Sequence, residues 1–192
     1  MRLIFALIVP LSLTCHALAE DAALPAPAEK PEVTKQRQID QLLAKLHTAP
    51  ADKDMSSTED EIWQLWSRHS SPTAEVLLRE GSAAIANGDY DPAEQILSQV
   101  LETYPNYAEA WNRRAALYYA EKRYDTALID VDHALSLEPR NFGALIGKGL
   151  ILRAQKKDNE AEAAFKAALE INPHLDSVQA MLNRIKKERP DI

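Results

Sequence analysis

Cysteine is nearly absent from this 192-residue chain: Cys15 is the only one. A lone thiol excludes an internal disulfide, and everything after residue 15 is left without a cysteine nucleophile or a cysteine-ligated metal. Glycine is also scarce, with five residues in all. None of them builds a phosphate-binding loop, and HExxH and GxSxG do not occur. Positive charge is in the minority, 22 Lys and Arg against 29 Asp and Glu, for a net charge of −7. Bulk electrostatic binding of nucleic acid needs a basic face, and none is evident. The one apolar run, Leu3 to Leu13, is too short to span a bilayer. His47, His69, His133 and His174 are scattered. The suggestive group Asp130, Asp132 and His133 fans over different faces of a helix and cannot converge on one ion. No catalytic, metal or cofactor site is therefore expected.

What the chain does have is a period. Pro105, Pro139 and Pro173 lie 34 residues apart. In the same register, a small position reads Ala93, Ala127, Ala161 and a second reads Gly81, Ala115, Gly149. Large apolar residues recur at Leu77, Trp111, Leu145 and at Leu97, Val131, Phe165, with a further core column at Val100, Ala134, Ala168. Small columns let two helix backbones approach, and the proline ends the second helix because it has no N–H to donate. A helical hairpin of this size cannot bury its apolar stripe alone, so neighbours must stack.

These columns resemble the tetratricopeptide repeat in three consecutive units, 74–107, 108–141 and 142–175. The middle unit matches best, through Trp111, Ala115, Tyr118, Tyr124, Ala127, Ala134 and Pro139, and departs at Arg114, where leucine is more usual. The resemblance implies an all-α fold, a short solenoid of three helix-turn-helix repeats. The chain as a whole is similar to small exported bacterial proteins of this family that run signal, helical preface, three repeats and cap.

The ends fit that layout. Arg2, the apolar run and Ala17-Leu18-Ala19 read as a signal peptide over 1–19, cleaved before Glu20. Cleavage would take the net charge from −7 to −8 and leave an acidic protein, periplasmic or secreted, with no membrane insertion. Ser12-Leu13-Thr14 matches poorly the pattern that precedes a lipidated cysteine, so an ordinary cleavage is expected over an anchor on Cys15. Residues 20–33, rich in Pro, Ala and Glu, read as a disordered linker. Over 34–73, Ile39, Leu42, Leu43 and Leu46 make one helical stripe, and Ile62, Trp63, Leu65 and Trp66 another, with Thr58 and Glu61 as a capping box. This preface resembles a degenerate repeat and is expected to cover the open face of the first unit. At the far end, 176–192 reads as a capping helix through Val178, Met181, Leu182 and Ile185.

In the tetratricopeptide family the second, fifth, ninth and twelfth positions of each unit tend to face a concave groove. Carried over, the partner-binding residues are Glu75, Leu78, Ser82 and Ile85, then Glu109, Asn112, Ala116 and Tyr119, then Gly143, Ile146, Leu150 and Arg153. Members that clamp a terminal carboxylate use cations and asparagine at the fifth and ninth positions, and here only Asn112 matches. An apolar or amphipathic protein segment is the expected ligand of an exported adaptor without chemistry of its own. The alternative is a self-associating module, a homodimer formed through Trp63, Trp66 and the N-terminal helix. Replacing Ala127 with Leu is expected to lower stability by about 1–3 kcal/mol, since the added methylenes must be forced between close helices. A thermal melt with an unchanged midpoint would displace the register and the groove residues with it.

Overall fold

The computed structural model describes residues 30–50 and 53–188. The expected signal peptide, Cys15 and the linker as far as residue 29 lie outside the described residues. Among the described residues there are nine helices and no strand: α1 (Pro31–Thr48), α2 (Ser56–Ser67), α3 (Pro72–Asn87), α4 (Tyr90–Thr103), α5 (Ala108–Ala120), α6 (Tyr124–Leu137), α7 (Phe142–Ala154), α8 (Asp158–Ile171) and α9 (Asp176–Glu188). The hairpins α3–α4, α5–α6 and α7–α8 stack in order as a short solenoid.

The small columns explain the stacking. Ala93, Ala127 and Ala161 are each fully buried, as are Leu97, Val131 and Phe165. A Cβ added at Gly81 would stand 2.9 Å from the Leu97 side chain, and one at Gly149 would stand 2.4 Å from the Phe165 ring. The chain thus trades side-chain volume at the second column against the bulk of the residue opposite. Trp111, expected in the core, is only half-buried. Its Nε1 donates to the Pro105 carbonyl at 2.8 Å, and its ring stacks on His133 at 4.1 Å. The turn inside each hairpin holds one residue in the left-handed conformation: Gly88 (φ 82°), Lys122 (φ 61°) and Lys156 (φ 63°), again at the repeat interval. A lysine in that region costs about 1 kcal/mol that glycine does not.

Helix starts follow local chemistry. Pro72 and Pro31 open α3 and α1, where a missing N–H costs nothing. Helix α1 therefore takes in Pro31 to Val33, three residues expected in the linker. Ser71 and Asn141 cap α3 and α7 by accepting the backbone N–H of Ala74 and Ala144. The capping box expected at Thr58 and Glu61 does not form, because α2 begins earlier. Asp54 accepts both the backbone N–H (2.9 Å) and the hydroxyl (2.7 Å) of Ser56, while Thr58 is buried one turn in.

The α1–α2 hairpin does not cover the first repeat. It crosses to the third, where Ile39, Leu43, Leu46, Ile62, Leu65 and Trp66 share a core with Phe142 and Ala168. Polar contacts fix it there: Asn172 Nδ2 donates to Glu59 at 2.7 Å, the His174 ring meets the Leu46 carbonyl at 3.0 Å, and Arg140 pairs with Asp40 at 2.8 Å. The reason is steric. Glu59 and Trp66 occupy positions where a repeat would need small residues, so the hairpin cannot stack as one. At the far end, α9 buries Val178, Leu182 and Ile185 against Leu152 and Phe165, with Met181 half-buried beside them.

Arg114, the departure from the repeat pattern, is explained by a partner on the next helix. Its Nε and Nη2 reach the two oxygens of Asp130 at 2.7 and 3.1 Å, and its Nη1 reaches Ser98 Oγ at 3.1 Å. Asp130 is 2% exposed. The acidic group around it is dispersed, with Asp132 pairing with Lys148 and His133 stacking on Trp111. Replacing Arg114 with Leu should cost about 3–5 kcal/mol, because it strands a buried carboxylate. Adding Asp130→Ala should recover most of that loss. Urea unfolding of the two variants checks this, and a neutral single variant would overturn it.

Candidate functional site

The first helices of the hairpins, α3, α5 and α7, lie side by side and form the inner wall of the solenoid. Helix α2 crosses this wall and borders two cavities of different chemistry.

The larger, about 900 Å³, adjoins Trp66 and gathers ionisable side chains. It is enclosed by α1, the α2–α3 connection, the start of α5 and the α6–α7 connection, with Lys35, Arg68, His69, Glu75, Glu109 and Glu138 in its lining. Lys35 Nζ donates to the Arg68 carbonyl at 2.7 Å. Burial holds its ammonium below the usual lysine range, against the pull of Glu138, Glu75 and Glu109. Glu75 accepts the backbone N–H of His69 at 2.7 Å. Glu109, 1% exposed, is matched by Arg113 at 2.7 Å and receives Asn112 Nδ2–H at 3.1 Å. The Tyr107 hydroxyl donates to the Ser67 carbonyl, and burial, with Glu109 and Glu75 nearby, pushes it above the ordinary tyrosine range.

The smaller cavity, about 320 Å³, adjoins Trp63 and is mainly apolar. Tyr119, Val131, Ile146 and Leu150 form its walls, Ala115, Ala116, Gly143 and Gly147 give it depth, and Asn112 and Arg113 lie at its polar edge. Trp63 is seated on Gly143, where an added Cβ would fall 1.9 Å from the indole. It also packs edge-on against Trp66 (5.3 Å) and Phe142 (5.5 Å). The two indoles of the homodimer alternative are thus packed within one chain, with Trp66 only 5% exposed.

Of the residues assigned to the groove from sequence, the structure brings Asn112, Ala116, Tyr119, Gly143, Ile146 and Leu150 around the apolar cavity. Glu75 and Glu109 line the larger one. Leu78 is buried in the core at 4% exposure. The Ser82 hydroxyl donates to the Leu78 carbonyl at 2.7 Å. Arg153 is drawn to the cap by Glu188 at 2.7 Å. The repeat register does not assign Trp63 or Arg113 to the groove. The available signal was Gly143, a glycine where the first two units carry Glu75 and Glu109, which leaves room above α7 for a large ring.

The folded chain is a helical-repeat scaffold whose inner wall carries pockets. Tetratricopeptide-repeat models match residues 78–135 and 142–175. A TPR repeat-containing protein of Rhizobium etli is 31% identical over 169 residues, covering 84% of this chain and 83% of the relative. The small glutamine-rich tetratricopeptide repeat-containing protein 2 of Saccharomyces cerevisiae is 35% identical over 98 residues, 51% of this chain but only 28% of that protein. Among solved structures, the Sgt2 TPR domain from Aspergillus fumigatus superposes with a TM-score of 0.60 at 25% identity, over 63% of this chain and 82% of that one. The first TPR of Spaghetti (RPAP3), bound to the HSP90 peptide SRMEEVD, gives 0.59 at 24% identity, over 62% and 94%. The chain belongs to the tetratricopeptide-repeat family.

His69 gives the larger cavity a testable signature. Its Nδ1 accepts the backbone N–H of Ser71 at 3.0 Å, so the folded state holds that nitrogen unprotonated. Burial, then Lys35, lowers its pKa below the usual 6.5, with Glu75 opposing. A base with a depressed folded pKa contributes stability above its unfolded pKa and loses it as pH falls through that value. The urea midpoint should therefore drop as pH falls from about 7.5 to about 5, the window set by the usual histidine pKa. His69→Asn, whose Oδ1 accepts the same N–H without titrating, should flatten the slope. Equal slopes would remove His69 from this role.

Proposed function

We propose that the protein is an adaptor that holds a protein partner on the inner wall of its repeats, gripping an apolar segment, and that it works outside the cytoplasm after cleavage following Ala19. The observation that carries the reading is the apolar cavity, which gathers Tyr119, Ile146 and Leu150 from α5 and α7 around small residues. A concave site of this kind, mostly apolar with a few polar groups at its edge, is the usual form of a binding pocket. Tyrosine offers large contact area at low entropy cost, and Tyr119 is 36% exposed there. The RPAP3 domain was solved with an HSP90 peptide, SRMEEVD, whose last residue is Asp. In this chain the clamp positions around the cavity carry Asn112, Ala116, Ile146 and Leu150, of which only Asn112 fits a carboxylate clamp, and this favours an apolar ligand. Export rests on Arg2, the apolar run and Ala17-Leu18-Ala19.

Crosslinking in intact cells, with recovery of the chain from the envelope fraction, tests both parts. The recovered chain should begin at Glu20. Tyr119→Ala should weaken the captured partner by about 2 kcal/mol, whereas Lys157→Ala on a surface turn should change little, with both variants melting like the parent. Equal effects of the two substitutions would move the site off the inner wall.

A further inference from the structure

Trp63 lies outside the repeats, yet it stands in their groove. Its indole sits on Gly143, and the Arg113 guanidinium lies 5.9 Å from its ring. The hairpin that carries it is a fixed part of the fold, because Ile39, Leu46, Ile62 and Trp66 are all buried in the core they share with Phe142. Trp63 is therefore a standing wall and does not swing away as a lid. The cavity continues the α2–α7 interface from Trp63 onto Ile146, Leu150 and Tyr119. The one charged side chain in its lining, Arg113, is already neutralised by the buried Glu109 carboxylate 2.7 Å away. A ligand side chain entering there meets neither an uncompensated cation nor an anion. A charged one would lose its hydration without a partner.

We propose that Trp63 is a specificity-determining residue of the partner site. The pocket it forms with α5 and α7 takes one bulky uncharged side chain from a short partner segment, and α2 prevents that segment from running the length of the groove. This rests on the reading that partners bind the inner wall, and it adds a residue from outside the repeats together with the chemistry of the ligand.

The test uses peptides acetyl-Gly-Gly-Xaa-Gly-Gly-amide, with Xaa as Phe, Leu, Trp, Lys or Glu, titrated into the ¹⁵N-labelled full chain. The Phe and Leu peptides should shift the amides of Ala116, Tyr119 and Gly147, with affinities at least about tenfold above those of the Lys and Glu peptides. Trp63→Ala enlarges the pocket, so the Trp-to-Leu affinity ratio should rise about threefold or more. A merely structural role would weaken every peptide alike. Ala116→Leu, made at an exposed position, should fill the pocket and abolish the shifts with Trp63 in place. If Trp63→Ala melts far below the parent, Trp63→Phe replaces it, and the ratio should move in the same direction. No shifts at all, equal affinity for the Phe and Glu peptides, or an unmoved ratio in a folded Trp63 variant would overturn the proposal. An unmoved ratio alongside Tyr119-dependent capture discards Trp63 and keeps the inner-wall reading. A moved ratio without such capture keeps Trp63 as the wall that sets the pocket's preference and discards the cellular protein partner.

Discussion

The close approach of paired helices is the constraint on which everything else depends. It exists because Ala93, Ala127 and Ala161 are small and fully buried, and because Gly81 and Gly149 yield space to Leu97 and Phe165. With the pairs drawn together, each hairpin presents a narrow apolar edge that only another hairpin or a cap can cover. α9 serves as the cap at the C-terminal end. The side-by-side placement of α3, α5 and α7 follows, and with it an inner wall on which side chains from separate repeats meet.

Onto this wall the N-terminal hairpin adds bulk that the repeats lack. Trp63, Trp66 and Phe142 form a mutually edge-on aromatic cluster, with centroids 5.1 to 5.5 Å apart, in the arrangement that aromatic quadrupoles prefer. Gly143 makes the cluster possible by leaving out a side chain. The same cluster lies between a cavity that gathers ionisable groups of both signs and one that has a single, already paired charge. The binding character of the wall is therefore set as much by an element outside the repeats as by the repeats themselves.

Much of the solenoid was legible in the sequence, because a 34-residue period reports packing columns directly, and all but the Leu77, Trp111 and Leu145 column are buried where the register places them. Half of the assigned groove residues meet around one cavity for the same reason. What escaped has physical causes. An amphipathic stripe such as Ile39, Leu43 and Leu46 says that a face is buried and not which surface buries it, so the hairpin's journey to the third repeat was invisible. Arg114 and Asp130 are 16 residues apart on different helices, and a pair of that kind breaks the pattern of each helix without announcing its partner. Lys122 and Lys156 hold the left-handed turn positions, but lysine carries no signal for that conformation. The register also does not report the contacts that Leu78, Ser82 and Arg153 make: the core, a carbonyl one turn back, and Glu188.

The bonds from Glu59 to Asn172 and from Leu46 to His174 join residues 113 and 128 positions apart. A plain repeat array is a chain of nearest neighbours, and it frays from either end. Here the beginning of the described chain is stitched to its last repeat, so the array behaves like a closed loop. Losing the terminal repeat would also undo the N-terminal hairpin, and loss of the hairpin would expose Phe142 in the third repeat. Local unfolding at one end thus carries a penalty at the other, which couples the units into one cooperative body. The same closure demands long-range contacts that form only after much of the chain is in place, and such topologies fold more slowly than arrays built from local contacts alone.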